Sequence, residues 1–545
     1  MKIKVCTLVS FISMIFVTNA QTTHRERPAE WNSLSEGGRF MDLFRPIPVL
    51  DSLTSQVWGG KNVVPRYKNN GIEDKAWSYW GGNILMGNDG KYHMFVCRWR
   101  EDSSKGHMEW PNSEVVHAVS KNPIGPFKVV ETIGEGHNPE AFQLQDGRYA
   151  IYVINGYYLS NNINGPWTYG KFDFDPRDRP IIEGLSNLSF AKRENGSYLM
   201  VCRGGSIWLS KDGVAPYNQT TDKSVYPPVE GEFEDPVVWR DHVQYHMIVN
   251  DWLGRIAFYL RSKNGIKWKI EPGEAYLPGI AKYEDGTMED WFKYERIKIL
   301  QDSLGRAVQA NFAVIDTLKF QDKPLDGHSS KNIGIPLAVP KQLELLHKRK
   351  ISSKTKTISV RIKHEKDFNP ITDLDLSSLR FGAPEKVNFG KGCKAVRTEK
   401  HGADLIVHFD ATDNGIGNDN FTVKLLGKTK QGELVFGYAR LPWINYIEPI
   451  LSARDPKLQT NGLMVRVDNF GQVKSRSSKM IVEEMKNGNW TIMGKATIPK
   501  LDPFGYSDVL IKIKANREDL IDRRIRITIL HPNKPKNLHE GKVIK

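Results

Sequence analysis

The chain has 545 residues, 77 Lys and Arg against 63 Asp and Glu, 39% hydrophobic and 10% aromatic content, and four cysteines. That length exceeds one ordinary domain, and that apolar content excludes global disorder. Past residue 20 only Cys97, Cys202 and Cys393 remain, an odd and scattered set that argues for buried single thiols over a disulfide framework, and no CxxC or HExxH spacing offers a zinc site.

The first twenty residues read as a secretory signal. Lys2 and Lys4 precede an apolar run from Val5 to Val17, and Thr18-Asn19-Ala20 supplies small residues for cleavage before Gln21. No later run is long enough to span a bilayer, so the expectation is a periplasmic or secreted protein without a transmembrane segment. Charge is unevenly spread: residues 341–545 hold 38 Lys and Arg against 23 Asp and Glu, a net of +15, which leaves −1 for residues 1–340. On an exported chain a basic half suits a solvated lysine-rich surface or attraction to an acidic or sulfated polysaccharide, with nucleic acid not expected as a partner.

From Trp77 to Asp316 a unit recurs: a short apolar strand, a turn, and a second apolar strand. The turns are Asn88-Asp89-Gly90, Gln145-Asp146-Gly147, Glu194-Asn195-Gly196, Arg240-Asp241-His242 and Ser303-Leu304-Gly305, and the second strands open KYHMFVCR, RYAIYVIN, SYLMVCRG, VQYHMIVN and RAVQANFAV. In the first four copies a third strand ends in a Ser, a Gly or Pro turn and an aromatic, as in HAVSKNPIGPF and YYLSNNINGPW. Units of roughly 40 to 60 residues built this way predict an all-β chain led by a five-bladed β-propeller. Twelve of the fourteen tryptophans precede residue 300, so aromatic packing and sugar stacking are expected in the repeats.

The blade ends and the strand openings HNPEAF and FEDPVVW resemble the five-bladed propellers of glycoside hydrolase family 43 and its relatives, including family 117, over about residues 45–330. The resemblance implies catalytic side chains at the starts of the innermost strands, with carboxylates from the first three blades. Here the matching openings read Gly82-Asn83, His137-Asn138 and Ser186-Asn187, and an aspartate stands only at the fourth, Glu234-Asp235. Asparagine does not titrate, and hydrolysis ordinarily needs two carboxylates. Glu140, Glu183 and Asp235 could still form a rearranged pair.

Histidine and arginine take the carboxylates' place. His117 lies on the third strand of blade 1, His137 opens blade 2, and Arg98 and Arg203 end second strands at near-equivalent positions, with Tyr158 a candidate acid. That set suits elimination from a uronic acid: arginine neutralises the carboxylate beside C5, while histidine or tyrosine moves the protons. Asn138, Glu140, Trp110 and Asp235 are the expected substrate contacts, and His107 joins Trp110 in the expected funnel rim. His93 and His246 follow Tyr92 and Tyr245 in two blades, which predicts a shared structural role. A partial resemblance to the propeller ulvan lyases of polysaccharide lyase family 25, which use paired histidines with a tyrosine and an arginine, points the same way. So does the general layout, which is similar to the flavobacterial oligosaccharide dehydratases of ulvan breakdown. The resemblance implies β-elimination on an acidic or sulfated oligosaccharide; an exo-acting hydrolase and an inert glycan-binding propeller are the alternatives. The sequence specifies no cofactor, and an axial divalent metal on His137, Glu140 and Asp235, able to stabilise the enolate-like intermediate of an elimination, is the open alternative.

Past Pro336 the repeat stops. The expected layout is signal 1–20, propeller 21–340, basic linker 341–356, and two immunoglobulin-like β-sandwiches at 357–445 and 446–545, the last two from alternating strands such as KTISVRIKH, FTVKLLG, GLMVRVD and RRIRITIL.

Overall fold

The computed structural model describes residues 25–54, 65–182, 185–326, 328, 330–513, 518–530 and 537–545, so the expected signal segment and Glu183 lie outside the described residues. Regular structure is almost entirely β, as the patterning predicts. The first sheet pairs β1 (Trp77–Met86), β2 (Tyr92–Arg100), β3 (Glu114–Ser120) and β4 (Lys128–Glu135) in that order. The second pairs β5 (Glu140–Gln143), β6 (Tyr149–Val153), β7 (Gly156–Ser160) and β8 (Thr168–Lys171). In the third, β9 (Phe174–Asp175) adds in parallel to the outer edge of β10 (Ser189–Lys192), β11 (Tyr198–Val201), β12 (Ile207–Ser210) and β13 (Tyr217–Gln219). The fourth holds β14 (Phe233–Arg240), β15 (Tyr245–Asp251), β16 (Ile256–Ser262) and β17 (Lys269–Tyr276). After the short hairpin β18 (Ala281–Lys282) and β19 (Met288–Glu289), the fifth holds β20 (Lys293–Gln301), β21 (Ala307–Ile315) and β22 (Ser330–Pro336).

The second strands are buried along nearly their whole length, as in β15, where every residue from Tyr245 to Asp251 is covered. Strands packed on both faces read as continuous apolar runs, which is why the repeat is legible while alternation within it is weak. At the tight turns Gly90 and Gly147 take φ of +75° and +91°, conformations that favour glycine.

The first strands gather side by side. β1 packs on β5 and β20, and β14 on β10 and β20. Between β5 and β10, Glu140 Oε1 accepts from Phe190 N at 2.8 Å and Ser189 Oγ at 3.1 Å, closing the circle. The device repeats: Asn83 Oδ1 accepts from Ala141 N at 2.9 Å, and Ser189 Oγ from Val238 N at 3.0 Å. The first strands of the first three sheets thus each tie the backbone of the next through a side chain at one recurring position.

From Leu343 to Arg440 seven strands form one sheet that curls back on itself, Lys341 N donating to Phe436 O at 2.7 Å, around Val360, Phe381, Phe409 and Val435. Part of the stretch expected as a linker is therefore strand: Leu343 and Leu345 are buried and Glu344 is exposed, the alternation of a half-covered strand that the flanking basic residues obscure. Between Leu451 and Lys542 two four-stranded sheets share a core that includes Val465, Met480, Ile511 and Ile527.

Candidate functional site

Where the five first strands meet, one backbone feature recurs. Gly81, Asn138, Asn187, Asp235 and Arg296 have φ of +67°, +54°, +52°, +55° and +50°. Gly81, Asp235 and Arg296 lie within register shifts of β1, β14 and β20, and Asn138 and Asn187 stand two residues before β5 and β10. Five left-handed residues at equivalent positions, four of them not glycine, mark a strained ring that the surrounding packing holds in place. The first opening is therefore centred on Gly81 and not on Gly82-Asn83, and the fifth, which the sequence reading lacked, is Arg296. The bulge adds a residue that spacing alone does not reveal.

The ring side chains join hands. Asn138 Nδ2 donates to Asn187 Oδ1 at 3.4 Å, and Asn187 Nδ2 to Glu234 Oε1 at 3.1 Å and Asp235 Oδ1 at 3.3 Å. Arg296 reaches Asp235 Oδ1 at 2.7 Å and stands 3.8 Å from Glu234 Oε1. Burial pushes the Asp235 carboxyl above its ordinary range, although Arg296 draws it down. Asn138 Oδ1, buried, has no partner among the described residues.

One residue before the ring lies a second circle: Trp80, His137, Ser186, Glu234 and Glu295. His137 Nδ1 lies 3.0 Å from Ser113 Oγ and 3.3 Å from Cys97 Sγ, and its ring lies 4.7 Å from Trp110 and 6.2 Å from Trp99. The far edge of Trp99's environment is His107, 5.1 Å from Trp99 and 4.6 Å from Trp80, with Nδ1 2.8 Å from Ser330 Oγ. Burial holds both imidazoles well below their ordinary range. Arg296, His107 and Lys319 add to this at His137, and Lys319, Lys293 and Arg296 at His107 against the pull of Glu295. Both are neutral at pH 7.

Basic side chains complete the circle. Glu295 contacts Lys319 and lies 3.5 Å from Lys293; burial opposes its ionisation, yet the two lysines outweigh it and hold the carboxyl below its ordinary range. Arg203 Nη1 lies 3.7 Å from Glu234 Oε1. Lys319 sits over the Trp80 ring at 5.1 Å and Lys293 over Trp252 at 4.6 Å. Four cations thus face three carboxylates through Glu234, Asp235 and Glu295, beside two neutral imidazoles.

The sequence candidates divide accordingly. His137, Asn138, Trp110, Asp235 and Arg203 come together. His117 does not join them: its Nε2 lies 2.8 Å from His93 Nδ1, its ring stacks on Phe95 at 4.9 Å, and burial and His93 push its pKa down to about 4. Arg98 pairs with Glu114 at 2.8 Å and lies 3.9 Å over Trp77. Across β1, Cys97 faces Trp80 and Arg98 faces Tyr79, so Cys97 and not Arg98 is the counterpart of Arg203, and one residue of slip turns a side chain to the other face. Tyr158 donates its hydroxyl to Glu135 O at 2.6 Å. Glu140 contacts Lys298 beneath the ring. Each carboxylate offered for an axial metal is thereby neutralised by a basic side chain, and among the described residues no group of three or more His, Cys, Asp and Glu could hold a metal ion. His93 and His246 do share a role, their Nε2 atoms 3.1 Å from Asp89 and 3.0 Å from Asp241. The sequence reading missed Glu295, Arg296, Lys293 and Lys319, and set His107 only on the rim; a fifth opening aligned on ERIKIL would have found Glu295 and Arg296.

No protein-family model matches the chain, and no curated protein matches it. Among solved structures it is similar to an alpha-L-arabinofuranosidase from Lactobacillus brevis, with 12% identity over 48% of this chain and 91% of that one and a TM-score of 0.34. It is also similar to the GH43 protein BlXynB from Bacillus licheniformis, with 12% identity over 86% and 89% and a TM-score of 0.32. A protein of unknown function from Dyadobacter fermentans shares 10% identity over 54% and 92%, with a TM-score of 0.32. At these identities and TM-scores the likeness assigns neither a family nor an activity.

Proposed function

We propose that the protein is an exported, carbohydrate-active five-bladed β-propeller, with residues 21–340 catalytic and the β-sandwich regions 357–445 and 446–545 accessory. It performs β-elimination at the non-reducing-end uronic acid of an acidic or sulfated oligosaccharide of the ulvan type, acting as a dehydratase that leaves a C4=C5 unsaturated end. One observation carries the reading: neutral His107 and His137 stand beside four basic side chains where a hydrolase would present two free carboxylates.

Removing the C5 proton of a uronate builds charge on the adjacent carboxylate, so cations held ready at that group lower the barrier. Arg203, Lys293, Arg296 and Lys319 supply them. His107 and His137 are the proton-transfer pair, Trp110 is an aromatic wall for the sugar ring, and Asn138 Oδ1 is an acceptor for a hydroxyl.

The test is to incubate the mature protein with oligosaccharides ending in a saturated uronic acid, following near-ultraviolet absorbance and product mass together. A new chromophore with loss of one water and no chain cleavage supports dehydration, and a chromophore with cleavage makes it a chain-cutting lyase. New reducing ends without a chromophore overturn elimination in favour of a family 43-type hydrolase with Glu234 as its accessible carboxylate. No reaction and measurable binding would leave an inert glycan-binding propeller.

A further inference from the structure

We infer that Ser113 and Cys97 fix His137 as the Nδ1–H tautomer, so that its bare Nε2 is the base that takes the C5 proton. The role rests on the elimination reading above, whereas the tautomer does not.

Ser113 Oγ has one hydrogen and donates it to Gly136 O at 2.9 Å. Cys97 Sγ donates its hydrogen to Trp80 O at 3.1 Å. Each hydrogen is thus already placed on a backbone carbonyl, and turning either toward His137 would give up that hydrogen bond. Ser113 Oγ and Cys97 Sγ therefore meet His137 Nδ1 as acceptors, at 3.0 Å and 3.3 Å, and Nδ1 must carry the proton. A neutral imidazole has one N–H, so Nε2 is left as a lone pair. Both hydrogen bonds of the ring to the described residues are made at Nδ1.

The thiol keeps its hydrogen, because burial pushes the Cys97 pKa up to about 11. The charged and titratable groups that face His137 are Arg296, His107, Lys319 and Cys97, and the three basic ones disfavour a second proton on the ring. Trp110 lies across the ring at 4.7 Å and limits its rotation. Ser113 closes β3 against the segment before β5, through its backbone C=O to Gly136 N at 3.0 Å. It is thus held from both sides of the residue it orients, and acts as a positioning residue.

In the reaction His137 Nε2 takes the C5 proton, the C5–H electron pair becomes the C4=C5 bond, and the C4–O bond breaks. The departing hydroxyl takes a proton from His107 and leaves as water, and the proton gained by His137 passes through solvent back to His107, so that both imidazoles end neutral.

Two measurements on the full mature chain test this separately. Selective 15N-histidine labelling with two-bond proton–nitrogen correlation, His137 being assigned by its loss in H137Q, reads the tautomer without any substrate. A protonated Nδ1 and an unprotonated Nε2 are expected, and the reverse pattern overturns the inference even if the enzyme eliminates. The expected tautomer without elimination activity would instead remove the functional reading and leave the tautomer standing. In kinetics, S113A is expected to lower kcat by up to about tenfold, the worth of one neutral hydrogen bond, with KM little changed and S113T restoring the rate. A S113A enzyme with unchanged tautomer and unchanged kcat overturns the positioning role.

Discussion

Arg296 holds both oxygens of Asp235, its guanidinium Nη1 2.7 Å from Oδ1 and its own backbone N–H donating to Oδ2 at 3.1 Å. The Asp235 side chain is fully buried, and the two residues occupy adjacent places in the left-handed ring. A buried pair of this kind contributes less than its short distance suggests, because both charges have been taken out of water. Breaking it is a different matter.

Removing the arginine alone strands a buried carboxylate, so R296M is expected to lose about 3–5 kcal/mol. D235N should lose less, because the asparagine carbonyl still accepts from Arg296 N. Urea unfolding of the three proteins checks this. An R296M midpoint equal to the wild type would mean that water reaches Asp235.

His117 makes stability fall in acid. Burial and His93 lower its folded pKa to about 4, while the unfolded chain takes up the proton near pH 6.5. Its contribution is therefore complete above pH 6.5 and is lost as pH drops through 6.5 toward 4, by up to about 3 kcal/mol. H117F keeps the stack on Phe95 and removes the titration, so its unfolding free energy should change less over that window, the remaining slope being set by the buried His107, His137 and His242 against the raised carboxyls of Asp235 and Asp322. Parallel wild-type and H117F curves would show that His117 is already protonated in the fold.

The repeat was legible because every sheet has a buried second strand and four of the five have a glycine in the turn before it, and both leave signals within a few neighbouring positions. The site was legible only where those signals also mark the strand opening, as at His137-Asn138 and Glu234-Asp235. It was lost where a bulge shifts the register, which exchanged Arg98 for Cys97, and where the site draws on segments far apart in the chain. Lys319 reaches Glu295 from the connection after β21, and no spacing rule predicts that meeting. His117 misled for a related reason: alternation fixes which face a strand residue shares, but not which sheet covers that face.

The thiols offer an inexpensive check on the core. Cys97, Cys202 and Cys393 are all free and buried, and burial pushes the Cys97 and Cys393 pKa values up to about 11 and about 12. A thiol reagent at pH 8 should therefore find none of them in the folded mature protein and all of them in denaturant. Rapid reaction of one thiol in the native state would show that its packing opens.

Elimination should survive mild acid. Burial, with Arg296, His107 and Lys319, keeps His137 unprotonated well below the ordinary imidazole range, so kcat/KM should hold steady as pH falls through 6.5 and decline only further down. A limb at 6.5 would assign the base to an exposed histidine instead.

The C-terminal sheets are more than an appendage on energetic grounds. Arg177 Nη1 lies 2.8 Å from Asp468, Arg193 Nη1 donates to Phe470 O at 2.9 Å, and Arg261 Nη1 donates to Thr422 Oγ1 at 2.7 Å, all three arginines being nearly inaccessible. In return Lys424, buried, donates to Gly37 O at 2.6 Å. Cutting the chain after residue 340 would expose these arginines and leave Val243 and Leu43 without the Leu426, Leu434 and Phe436 surface they pack on. The fragment 21–340 is expected to unfold or aggregate. In the full-length protein D468A, which strands Arg177, should cost about 3–5 kcal/mol. A soluble fragment with the wild-type melting point and undiminished turnover of small oligosaccharides would reduce the C-terminal sheets to passengers. A D468A protein that melts with the wild type would remove the Arg177 pair from what joins them.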